Sequence, residues 1–249
     1  MLYFIFIIGA IFGSFYGVVG TRLPEEKSIV KPGSHCEKCG HYLKWYENIP
    51  LLSYIFLGGH CKKCKTPIGF VYFMTELLSG CLFALCYKVF GISYEFFIAV
   101  ILSSLVIIIF VSDSKYMIIN DSPLIVSAIL IFIIKWLDTG ILSALMSLVY
   151  GLIIFGVAYL LMLFGSLAFK QEALGGGDIK LSFVAGMVLG VKLGILYIVL
   201  ASFLAFPYAV YVTLKNKDNM LPFGPFLVSS LLIIYLNMNI ISEIIKVIF

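Results

Sequence analysis

The chain has 249 residues and a mass of 27.7 kDa, with 62% hydrophobic and 12% charged side chains, a formal charge of +4 and a mean hydropathy of +1.10. Soluble domains are about half apolar and about a quarter charged, so this composition excludes an ordinary soluble domain, and equally a disordered, collagen-like or nucleic-acid-binding chain. It describes a polytopic membrane protein whose first partner is the lipid bilayer.

A bilayer core of about 30 Å takes roughly 20 apolar residues per helix. Stretches 2–20, 70–90, 94–113, 121–137, 140–165, 178–191, 193–214 and 222–247 approach that length. The sixth is short, and the last should break near Asn237 and Asn239 into a span and an interfacial piece. Nothing shows the alternation of a β-barrel, so the predicted fold is all-α with about eight transmembrane helices. Residues 1–20 lack a basic n-region and a cleavage site and are read as a permanent helix. The expected division is a first span over 1–21, a cytoplasmic loop domain over 22–69 and a membrane core over 70–249. Gly9, Gly13 and Gly17 share one face of the first span, where small residues let another helix backbone come close.

Residues 22–69 form the one stretch long and polar enough to fold outside lipid. They hold Cys36-Glu37-Lys38-Cys39 and Cys61-Lys62-Lys63-Cys64. In a reducing cytoplasm two CxxC knuckles favour a tetrahedral Zn²⁺ over disulfides. Cys36, Cys39, Cys61 and Cys64 are therefore the predicted ligands of a structural zinc, against the alternative of two redox or unpaired dithiols. Gly40, Gly58 and Gly59 flank the knuckles and suit tight turns. His35, His41 and His60 lie nearby, but four thiolates complete the set without them. Cys81 and Cys86, inside the second span, read as small apolar residues.

Lys and Arg set the orientation. With the N-terminus outside, thirteen of the 17 fall on cytoplasmic segments, Lys170 and Lys217 among them. Glu25, Glu26, Glu37, Glu47, Glu172 and Asp218 then fall in cytoplasmic loops and read as solvated. An acid inside a span costs on the order of 3 kcal/mol, which singles out Glu76, Asp113, Asp121 and Asp178 at or within helix ends. Asp113 closes an apolar run at its cytoplasmic end, and Asp178 opens the sixth span from the same side, after Gly175-Gly176-Gly177. Two carboxylates at one depth can share a proton, one serving as base and one as acid, and so activate water for attack on an amide. The glycines leave room for a substrate backbone. Helix caps, or ion pairs with Lys115 and Lys180, would also explain the two aspartates. The three histidines all sit in the loop, and no HExxH, Walker A or GxGxxG pattern appears, so other hydrolytic and nucleotide designs have few candidates.

The residues also resemble a known family. Gly13-Ser14-Phe15, Arg22-Leu23-Pro24, Ser34-His35-Cys36 through Cys39-Gly40, Trp45, Asn48 through Tyr54, Cys61 and Cys64 are similar in order to the N-terminal half of the bacterial prepilin peptidases (type IV leader peptidases, GxGD-class membrane aspartyl proteases). Asp113 with Asp121 eight residues on, Gly175-Gly176-Gly177-Asp178-Ile179-Lys180-Leu181 and Pro222-Phe223-Gly224-Pro225-Phe226 resemble the rest. Asn120 and Phe73 depart from it, standing where the family usually has Pro. The resemblance implies an aspartic endopeptidase of the bacterial inner membrane that cleaves prepilins and pseudopilins after Gly at the cytoplasmic face, with Asp113 and Asp178 catalytic. It also implies N-methylation of the new terminus with S-adenosylmethionine as donor, the 22–69 loop being the region concerned. A proton- or cation-coupled transporter and a zinc-ribbon membrane adaptor are the readings from other classes; the outer halves of most spans carry no ionisable group, which disfavours the first.

Overall fold

The computed structural model describes residues 1–169, 175–215 and 221–248. Lys170, Glu172, Lys217 and Asp218 lie outside them. Among the described residues the structure is helical, with no strand beyond two isolated bridges in the loop domain. The helices are α1 (Leu2–Arg22), the short α2 (Leu52–Phe56) in the loop domain, α3 (Phe70–Phe90), α4 (Tyr94–Tyr116), α5 (Asp121–Thr139), α6 (Ile141–Phe169), α7 (Gly176–Lys215), α8 (Gly224–Leu236) and α9 (Met238–Ile248).

Helices α1, α3 and α4 pack on one another, as do α5, α6 and α7. Helix α8 lies between α4 and α7, and α5 touches both as well. The α1–α3 contact is backbone against backbone: a Cβ on Gly9 would stand 2.8 Å from the Ser79 carbonyl, and one on Gly13 would stand 2.6 Å from the Thr75 carbonyl. The small-residue face read from the sequence thus has its partner in α3.

The all-α, multi-span fold is as expected, but the count of about eight spans is not matched. Among the described residues, six helices are long and apolar enough to cross a membrane. One of them, α7, is broken at Gly190, whose φ of 72° and ψ of −172° belong to no helix. Tyr197 Oη lies 3.5 Å from Ser182 Oγ, although a straight helix would set residues fifteen apart about 22 Å from each other. Gly186 and Gly194 both press on Ile154 of α6. The chain therefore folds back at Gly190, so that the stretches expected over 178–191 and 193–214 become two arms of a hairpin. The first arm, Gly176 to Leu189, is about 21 Å long, short of a full crossing. Helix α8, with 13 residues, is shorter still. The last apolar stretch breaks at Asn237, as expected from its asparagines, into α8 and α9.

The break strands carbonyls that lipid cannot satisfy. Lys135 of α5 answers one of them: its Nζ donates to the Met187 carbonyl at 2.6 Å, a cation at a helix C-terminus. At the other end of the first arm, Lys180 donates to both oxygens of Asp121 at 2.7 Å. Helix α5 so holds the first arm of α7 at both ends. Replacing Lys135 by Met leaves the Met187 carbonyl without its donor and should destabilise the fold by roughly 1–3 kcal/mol, read as a lower midpoint for thermal unfolding in detergent.

Candidate active site

Asp113 sits one turn before the end of α4, after which Met117, at a left-handed φ of 53°, turns the chain into the 117–120 connection. Asp178 is in the first turn of α7. Both carboxylates are buried, with 6% and 7% of their surface exposed, and both line one cavity of about 220 Å³ together with Met117, Ile118, Ile119 and Gly175 to Gly177. They are close enough to interact electrostatically.

Each carboxylate has one oxygen tied to a glycine amide. The Gly224 N–H donates to Asp113 Oδ2 at 3.0 Å. The Gly175 N–H donates to Asp178 Oδ2 at 3.2 Å, the reach-back of a capping-box acid to the residue before its helix. The second oxygen of each remains for the cavity. Asp178 is thus not the N-cap residue itself, which is Gly175, but the third helical residue bonding back to it, an arrangement compatible with a chemical role. Neither ion-pair alternative is observed: Lys180 pairs with Asp121, and Lys115 donates to the Tyr116 hydroxyl at 2.7 Å.

Sequence reasoning missed the two groups that fix this geometry. A Cβ on Gly224 would lie 2.9 Å from Asp113 Oδ2 and 2.8 Å from Ile119 Cδ1, and one on Gly177 would lie 2.6 Å from Ile119 Cβ. Ile119 thus wedges between the first turn of α7 and the start of α8. The Pro222–Phe226 element carried a family resemblance but no role, and its role is the Gly224 amide. Asn120, with φ −73° and ψ 143° at the N-terminus of α5, has a φ that proline would adopt. Phe73 stacks on Phe70 and Tyr54.

In the loop domain the two knuckles are copies of one turn. Cys36 N–H donates to the His41 carbonyl and Gly40 N–H to the Cys36 carbonyl; Cys61 N–H donates to the Thr66 carbonyl and Lys65 N–H to the Cys61 carbonyl. Gly40 and Lys65 take the same left-handed turn, at φ 66° and 59°. Gly58 and Gly59 instead close α2 by donating to Ile55 and Tyr54 carbonyls, so the second knuckle uses a lysine where a glycine was expected. The Cys36–Cys64 and Cys39–Cys61 Sγ pairs stand 3.7 and 3.9 Å apart, and all four sulfurs lie within 4.8 Å of one another. Sulfurs on a tetrahedral Zn²⁺ at about 2.3 Å are separated by about 3.8 Å, so the four cysteines fit such an ion. His35 and His60 bond nearby carbonyls of Gly33 and Gly58, and His41 bonds Glu47.

Glu47 is not solvated as expected. It is 5% exposed, accepts from the Lys44 N–H and from His41 at 3.0 Å each, and lies 3.7 Å from Lys62. The Lys44 amide, with His41 and Lys62, holds its carboxyl below the usual carboxylate range. Glu25 accepts from the Tyr116 hydroxyl at 2.6 Å and pairs with Lys27. Glu76, inside α3, accepts from the Leu51 N–H at 2.7 Å and has Ser14 near it.

Comparison with known proteins adds to this geometry. Residues 7–90 match the family model described as the bacterial peptidase A24 N-terminal domain, and residues 100–210 match that of the type IV leader peptidase family. A prepilin leader peptidase/N-methyltransferase of Bacillus subtilis is 39% identical over 239 residues, covering 95% of this chain and 94% of its own. The chain belongs to the type IV leader peptidase family. Relatives of the same name in Vibrio cholerae (29% over 246 residues, 94% of this chain and 96% of theirs) and Myxococcus xanthus (38% over 189 residues, 75% and 55%) extend the match. No solved structure matches the chain. The first matched segment spans α1, the loop and the start-to-end of α3; the second runs from α4 into the second arm of α7, and so contains both cavity aspartates.

Gly224→Ala should push Asp113 and Ile119 apart and lower the turnover of any reaction run by the pair by on the order of 10–100-fold, with the protein still extracted and folded as judged by size-exclusion chromatography.

Proposed function

We propose that this chain is an inner-membrane prepilin peptidase that cuts the leader from type IV prepilins and pseudopilins after Gly, and that it methylates the amine so exposed. The observation that carries the reading is the pair of buried carboxylates, delivered by α4 and α7 to one cavity, each with one oxygen fixed by a glycine amide and the other open. The relatives named prepilin leader peptidase/N-methyltransferase support it along nearly the full chain.

Asp113 and Asp178 hold one proton between them. The ionised carboxylate takes a proton from a water in the cavity as its oxygen bonds to the scissile carbonyl carbon, and the protonated partner donates to the carbonyl oxygen. Collapse of the tetrahedral species breaks the C–N bond, the amide nitrogen taking a proton from the pair. The products are a leader ending in a glycine carboxylate and a pilin with a free amine. No covalent enzyme intermediate is needed. Gly176, which has open space where a side chain would begin, leaves room for the substrate backbone to lie against the cavity wall, and with the N-terminus of the chain outside the cell that cavity faces the cytoplasm.

The labour is divided by segment: residues 1–21 anchor, residues 22–69 form a zinc-bound loop domain and methyltransferase region, and residues 70–249 form the peptidase core. Cys36, Cys39, Cys61 and Cys64 would hold the Zn²⁺, which with four thiolates has no open position and supplies stability to the loop. S-adenosylmethionine supplies the methyl group. Methyl transfer is assigned to no named residue.

Coexpressed prepilin should remain uncut with Asp113→Asn or Asp178→Asn, cleavage falling by about 10³-fold or more. Asp121→Asn, which loses the Lys180 pair but no cavity carboxylate, should retain measurable cleavage on the same immunoblot; normal processing by either of the first two variants ends the peptidase assignment.

Purified protein should carry one zinc per chain by elemental analysis. Cys64→Ser should lose it and expose the 22–69 loop to limited proteolysis, while the α4–α7–α8 core unfolds at an unchanged temperature.

A further inference from the structure

The cytoplasmic loop domain leaves an apolar surface that its own fold does not cover. In α2, Leu52, Ile55 and Phe56 fall at i, i+3 and i+4 and share one face. All three are exposed, Phe56 at 81%, and Trp45, in the 3-10 turn beside α2, is exposed at 80%. The opposite side of α2 is spoken for: the Tyr54 ring packs on Phe73 at 5.1 Å and on Phe70 at 6.3 Å between centroids. Phe70 and Phe73 are in the first turn of α3, so α2 is anchored through Tyr54 to the start of a membrane-spanning helix.

Its depth follows from Glu76. That residue is six positions inside α3, about 9 Å beyond the helix start, and its side chain leans back toward the N-terminus. Its carboxylate nevertheless takes the Leu51 N–H at 2.7 Å. The peptide that opens α2 therefore sits beside the first turns of a spanning helix and not beyond its end. Leu51 adopts φ 63° and ψ −50° to get there, a conformation that a leucine keeps only where its surroundings fix it.

The charges around this face have one sign. Between residues 44 and 65 the sequence contains Lys44, Lys62, Lys63 and Lys65, and its one acid, Glu47, is buried. Lys62 extends over the Tyr46 ring, with Nζ 4.8 Å from the centroid, and Tyr46 is edge-on to Trp45. Exposed aromatics, an apolar helix face and lysines without free acids, continuous with the lipid-facing Phe70 and Val71, match the layer where acyl chains meet headgroups.

We propose that the Trp45 and α2 face is embedded in the headgroup layer of the membrane and held there by anionic phospholipid, so that the loop domain lies on the bilayer and does not hang from it. The inference rests on α3 being a membrane span, not on the peptidase chemistry.

The test uses the full-length protein in nanodiscs. Trp136→Phe leaves Trp45 as the sole tryptophan. Its emission should be quenched by lipids brominated near the headgroup and largely protected from aqueous iodide. Moving from purely zwitterionic discs to discs with anionic lipid should raise the quenching about twofold, and Lys63→Gln with Lys65→Gln should remove that gain. If Trp136→Phe fails to fold, Phe56→Trp with Trp45→Phe, read as a difference against Trp45→Phe alone, reports the same face. Iodide quenching with no response to brominated lipid in both reporters would overturn the proposal. Protection from both quenchers in a chain that migrates as a dimer would overturn it too, giving the face to a second copy. Prepilin cleavage by the same samples is a separate readout, so a lost lipid signal beside intact cleavage sinks this inference alone.

Discussion

A polar group placed among lipid-facing helices has no water to turn to, and this chain meets that constraint repeatedly with the same device. Three acids inside helices each accept from a backbone N–H at a point where the chain is not helical or is just entering a helix. Asp113 takes Gly224, Asp178 takes Gly175 and Glu76 takes Leu51. Lys135 does the converse, donating to the Met187 carbonyl that the Gly190 break releases. Each contact satisfies two groups at once, an ionisable side chain and a main-chain atom, that would each be costly alone. The irregular backbone and the buried acids are thus one design, and the positions of the two cavity carboxylates follow from it.

Close approach makes these contacts possible. Gly13 lets α1 lie on α3, which brings Ser14 to Glu76; Gly177 and Gly224 let Ile119 seat between two segments that are far apart in sequence. A methyl group at any of the three would meet a neighbour closer than carbon atoms tolerate. Specificity of position in this fold comes from what is absent at glycine as much as from what is bonded.

Much of this was readable in advance. The apolar runs gave all the long helices within a few residues, since lipid imposes a length and a composition that leave little freedom. The CxxC spacing and the Gly-rich run before Asp178 are local signals: the four cysteines lie together, and the glycines line the aspartate cavity. What escaped notice depends on partners distant along the chain. Nothing near Gly224 says that its amide meets residue 113, and nothing near Glu47 says that His41 and Lys44 enclose it. The fold-back at Gly190 was visible only as a boundary between two apolar stretches, because Tyr197 and Ser182 meet through tertiary packing. In the second knuckle, Lys65 holds a left-handed turn that composition assigns to glycine, because the repeat of the hydrogen-bond pattern around Cys61 dictates it.

The first arm of α7 and helix α8 both stop short of the bilayer's thickness, and both present their N-terminal ends to the aspartate cavity. Lipid beside a stubby helix must thin to meet it. The membrane surface on the cavity's side should therefore dimple at this spot, carrying solvent down toward the two carboxylates. A peptide bond held at such a depression can be hydrolysed while the apolar helix following it stays where it already is.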